Sequence, residues 1–200
     1  MSFRSLSSSR RIAPLALVIL AGLNSAASAH VGTHTAGFAD GLAHPFLGLD
    51  HVLAMVAVGV WASQLGRPAY WALPLTFASV MAIGAAIGAS GLPLPWVEAG
   101  IAGSVLVLGA VIAFALRPSI VLSVALIAVF ALLHGYSHGV ELPQSASALA
   151  YGAGFVAATL VLHAIGLTIG ALASRPAGRL ATRTAGAAIA AAGVVLLVMT

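Results

Sequence analysis

The chain has 200 residues, of which 61% are hydrophobic and only 6% charged, and it contains neither Lys nor Cys. Soluble domains carry about a quarter charged residues, so this is an integral membrane protein in which disulfides and thiolate metal sites are excluded. The formal charge of +4 comes from eight Arg, three of them within the first eleven residues, and reports topology rather than nucleic-acid binding.

In chain order, Met1 to Ala29 reads as a cleavable signal peptide. Arg4, Arg10 and Arg11 form its basic region, Ile12 to Leu23 its apolar region, and Ala27-Ser28-Ala29 an A-x-A site. The mature chain, residues 30–200, then starts at His30. Six apolar segments follow, at about Pro45 to Leu65, Tyr70 to Ala89, Pro95 to Leu116, Ser119 to Val140, Ala146 to Ala173 and Arg183 to Met199. Each is near the ~20 residues that a helix needs to cross a bilayer. The expected fold is an all-α polytopic bundle of six transmembrane helices. Prolines fall at the junctions, and Pro74 alone sits inside a segment, near its start, where it can kink the helix.

With an exported N-terminus, Arg67, Arg117, Arg175, Arg179 and Arg183 all fall in or at the edge of cytoplasmic loops, and the second and fourth loops hold no cation. The positive-inside rule therefore agrees with six crossings in a bacterial inner membrane and with periplasmic mature termini. G-x-x-x-G spacings at Gly84/Gly88, Gly135/Gly139 and Gly166/Gly170 favour close packing within the bundle or between protomers of a homo-oligomer. Trp61, Tyr70, Trp71 and Trp96 near segment ends read as interfacial anchors.

The four acids and seven histidines lie almost entirely towards the outer side. Ionisable groups within a membrane cost at least ~2.5 kcal/mol each and mark ion paths. His44, Asp50 and His51 open the first segment in H-P-F-L-G-L-D-H. Pro45 suits a first helical turn, which places His44 at the cap. His44 and His51 share a face but stand ~10 Å apart along a regular helix, so either one ion bridges them across a bent or unwound start, which Gly48 permits, or the two mark successive stations. Asp50 either binds the cation or orients a neighbouring imidazole.

His134, His138 and Glu141 form one stripe at the end of the fourth segment, in H-G-Y-S-H-G-V-E. Imidazoles and carboxylates suit Ni(II), Co(II), Zn(II), Fe(II) or Mn(II), and the spacing does not choose among them. Gly135 stands where H-E-x-x-H carries its general base, which rules out a metalloprotease. Glu98 is read as closing the site from the third segment, with snorkelling to water as the alternative. His163, near mid-depth in the fifth, is either an inner relay or a hydrogen-bonded interior histidine. His30 and His34 are candidates for capturing metal outside. Phe77 either plugs or lines the path or faces lipid.

Both motifs resemble those of the HupE/UreJ proteins, nickel or cobalt permeases associated with hydrogenase and urease maturation: H-P-x-x-G-x-D-H in the first crossing and H-G-x-x-H-G-x-E in the fourth. The resemblance spans the mature chain. Leu133 and Ser137 depart from the usual residues and bear on selectivity alone. It implies that His44, Asp50, His51, Glu98, His138 and Glu141 are essential, with Phe77 as a further candidate.

The expected activity is thus uptake of Ni(II), or Co(II), as substrate through a periplasm-facing vestibule, without a prosthetic group and without enzymatic chemistry. Its expected partners are the bilayer, the metal cation and nickel-enzyme maturation proteins. A non-transporting metal-delivery or assembly factor, and a membrane enzyme using metal as a Lewis acid, are the alternatives.

Overall fold

A computed structural model of the chain describes residues 37–142, 147–173 and 176–200; the signal-peptide segment, His30 and His34 lie outside them. Among the described residues every regular element is helical: α1 (Phe38–Ala43), a 3-10 turn (His44–Phe46), α2 (Leu49–Leu65), α3 (Ala69–Ala89), α4 (Val97–Ala113), α5 (Ile120–Val140), α6 (Ala148–Leu172) and α7 (Pro176–Met199). The helices α3, α5, α6 and α7 are long and apolar enough to cross a membrane. This is a membrane protein.

The first segment departs from the expected single helix beginning at Pro45. Pro45 instead lies inside the short 3-10 turn that His44 starts, and Gly48, in extended conformation, precedes α2. The chain bends by 84° at this break, so that Phe38–Phe46 and Leu49–Leu65 form a bent pair. The third segment is also shorter than expected. Trp96 (φ 64) and Ala115 (φ 52) are left-handed, and they confine α4 to 17 residues. The last helix begins at Pro176 rather than Arg183. Proline is tolerated at a helix start because its missing N–H would have no partner there. Arg179 and Arg183 consequently lie on helix rather than in a loop. The Nε–H of Arg183 donates to the Ala113 carbonyl at the C-terminal end of α4 (2.8 Å), where a cation also meets the negative end of the helix dipole. Pro74 lies within α3, which continues through it.

Three helix pairs dominate the packing: α3 with α5, α4 with α7, and α2 with α6. The first is an interlock of small residues. A Cβ on Gly84 or Gly88 of α3 would strike the backbone of Leu132 or Tyr136, and one on Gly135 or Gly139 of α5 would strike that of Met81 or Ala85. Gly166 similarly seats α6 against Val56 and Gly59 of α2. The glycine spacings therefore serve contacts within the chain. Helix α2 also touches α3, α4 and α7, and its buried side chains Met55, Val58 and Trp61 form the middle of the core. Trp61 is fully buried, with its indole N–H donating to the Leu116 carbonyl (3.1 Å); it is a core residue and not an interfacial anchor. Trp71 and Trp96 are exposed, as anchors require.

Candidate metal centre

The bend at Gly48 sets the geometry of the site. With α1 folded back onto α6, His44 comes to the mouth of the bundle beside the first turn of α2, and its ring centroid lies 6.3 Å from that of His51. A straight helix would hold the two ~10 Å apart along its axis. From α5, His138 meets both: its ring is 4.9 Å from His44 and 4.5 Å from His51. His134, one turn deeper, is 5.6 Å from His51. Four imidazoles from the two motifs thus converge in one cluster.

The hydrogen bonds leave buried donor atoms free on the imidazoles of that cluster. His51 Nδ1 donates to Asp50 Oδ1 (2.8 Å), and His134 Nδ1 donates to the Phe130 carbonyl (2.9 Å). In each case Nε2 is left buried with no hydrogen-bond partner among the described residues, and neither ring nitrogen of His138 has one there. Buried polar nitrogens are nearly always satisfied, and a metal ion or ordered water is what would satisfy these. Orienting a ligand imidazole through its other nitrogen is the usual arrangement around metals. Of the two roles open to Asp50, the bond to His51 matches that of orienting residue.

At the rim, one donor atom from each of His44, His138 and Glu141 falls within 4.8 Å of the others, a grouping able to hold a cation. Glu141 is half exposed, with Oε2 4.0 Å from His138 Nδ1. Glu98 is not brought into this group. It is exposed near the start of α4, where the Ser137 hydroxyl donates to its Oε1 (3.5 Å), so the expectation that α4 closes the cluster is not met. The third wall comes from α6 instead. Tyr151 and Phe155 pack on His44 (5.8 Å each), and Phe155 also lies 4.2 Å from His138. The sequence reading missed both, although Tyr151, Phe155, Thr159 and His163 recur every four residues and so share one stripe of α6.

Phe77 and His163 continue the column inward. Phe77 is fully buried and does not face lipid; its ring contacts His134 at 5.6 Å and His163 at 5.1 Å. His163 is 1% exposed, and neither of its nitrogens is hydrogen-bonded to another of the described residues.

No solved structure matches the chain. The family described as HupE / UreJ protein matches residues 17–196. Protein HupE of Rhizobium leguminosarum bv. viciae is 48% identical over 176 residues, which cover 88% of this chain and 92% of that protein. A family match over nearly the whole length, together with a relative this similar, places the chain in the HupE/UreJ family.

Proposed function

We propose that this protein carries Ni(II), with Co(II) as a second substrate, from the periplasm across the bacterial inner membrane to the maturation machinery of a hydrogenase or urease. The observation that carries this reading is the column of imidazoles. It starts at the outer rim with His44 and His138, continues through His51 and His134, and reaches His163, with unpartnered nitrogens along its length. In this reading the bent pair counts as one crossing. Helix α4, at 17 residues and ~25 Å long, is a short second one. Together with the four long helices they give six crossings and periplasmic mature termini.

Nitrogen and oxygen ligands without sulfur suit borderline divalent ions. The incomplete rim formed by His44, buried His138 and half-exposed Glu141 serves to exchange water for imidazole without trapping the ion. Potential supplies the direction, since a divalent cation entering the cytoplasm gains about 4.6 kcal/mol per 100 mV, twice the value for one charge. The function is transport and no chemical step is required.

The test is Ni(II), Co(II) and Zn(II) flux into proteoliposomes for the wild type, His138→Ala and Asp50→Ala. Transport predicts a potential-dependent flux that both substitutions abolish. Deleting the gene separates transport from a pure assembly role: an assembly factor leaves cellular nickel uptake unchanged, and that result overturns the proposal.

A further inference from the structure

Beyond the outer cluster lies a donor group that the cluster does not use. His163 is the sixteenth residue of α6, ~22 Å along that helix from its start, and both nitrogens of its buried ring are unpartnered among the described residues. Core imidazoles ordinarily give or receive at least one hydrogen bond, because an unmet buried polar atom forfeits its hydration with nothing in return. The same stripe of α6 carries a second buried polar group whose partner is weak. Thr159, one turn earlier on the same stripe and fully buried, directs its hydroxyl at the thioether of Met81 (3.9 Å), a weak acceptor. Met81 is itself one turn from Phe77 on α3.

Phe77 divides the two levels. Its ring contacts both His134 and His163, while among the described residues these imidazoles make no ring contact with each other. The phenyl ring thus touches the imidazole on either side of it.

We infer that His163 is a second, inner station for a divalent transition-metal ion, separated from the outer cluster by the Phe77 ring. This rests on the transport reading and deepens it. With one imidazole and the weak donors Thr159 and Met81, the inner station leaves the ion most of its water, so it binds more loosely than the outer four-histidine cluster. A loose inner site follows from the requirement that an ion held well enough to enter must also leave. The imidazole of His163 is a binding group for the passing ion, and its unmet nitrogens are the trace of that role.

The experiment is equilibrium dialysis of the purified full-length protein against radioactive Ni(II), paired with flux in proteoliposomes. The wild type is expected to bind two ions of unequal affinity. His163→Gln is expected to lose the weaker ion and to slow flux by about tenfold or more, while the tighter affinity is unchanged; His138→Ala loses the tighter one. Retention of both ions and of full flux in His163→Gln overturns the inner station and leaves the transport reading intact. A wild type that binds no nickel, or binds it without flux, overturns both. His163→Leu provides a second readout, since it removes the nitrogens while filling the space. It should keep or raise the thermal midpoint and lose the weaker ion, whereas a fall in the midpoint with both ions retained assigns His163 a structural role through bound water and refutes the proposal.

Discussion

Replacing Gly135 by Ala tests whether the backbone interlock of α3 and α5 positions the ligands. A Cβ at Gly135 would strike the Met81 carbonyl oxygen and lie 2.7 Å from its carbonyl carbon and 2.8 Å from its Cα. Ordinary contact begins at 3.4 Å, so each carbon falls more than half an ångström inside it. The obstructing atoms are main chain, no rotamer relieves them, and the two helices must separate. Such overpacking costs about 1–3 kcal/mol, partly offset by the ~1 kcal/mol that Ala gains over Gly in a helix. Gly103 of α4 is the control, because nothing lies within 4 Å of its added Cβ, and Gly103→Ala therefore keeps only the gain. The two variants should differ in unfolding free energy by about 1–3 kcal/mol, measured by thermal unfolding in detergent. Since Gly135 directly follows His134, parting α5 from α3 also draws that imidazole away from Phe77. Displacements of this size loosen a metal site about tenfold or more, to be read as Ni(II) flux in proteoliposomes. Equal midpoints for the two variants, or wild-type flux in Gly135→Ala, would refute this account of the site.

Three further outcomes follow from other contacts. Asp50→Asn keeps the shape of the side chain but removes the charge that meets His51 Nδ1 at 2.8 Å, so nickel affinity by equilibrium dialysis should fall about 10–100-fold with the fold intact; unchanged affinity would mean that this bond does not orient His51. Trp61→Phe removes the indole bond to the Leu116 carbonyl and should cost about 1 kcal/mol or more of stability, with flux near wild type because Trp61 touches no imidazole of the column. Reporter fusions after Arg67, Arg117 and Arg179 should read cytoplasmic and fusions at Ser90 and Thr200 periplasmic; a cytoplasmic Thr200 would rule out an even number of crossings.

The helical class and most helix positions were legible in the sequence because hydrocarbon leaves a chain few ways to satisfy its backbone, and long apolar runs between prolines record that directly. The ends were less so. The left-handed turns at Trp96 and Ala115 carry no glycine to announce them, and α7 starts at a proline that reads equally well as a loop residue. Both histidine motifs were legible, and a bend at Gly48 was one of the two arrangements that their spacing left open. Which helix would supply the third wall was not. Helices that are apolar all round give no periodicity to orient them, so the acid Glu98 drew attention to α4, while nothing in the sequence beyond a shared helical stripe singles out Tyr151 and Phe155. The burial of Trp61 was hidden for the same reason.

The short α1 is seated on α6 through Gly41 against the Tyr151 carbonyl and Gly154 against the Phe38 carbonyl. His44 follows α1 directly, so the depth at which those two backbones mesh decides how far this imidazole reaches towards His138. A methyl group at either glycine would lift the outermost ligand off its neighbours with every donor atom still in place. In the proposed transport reading, capture of the ion is thus tuned by two residues that have no side chain to offer it.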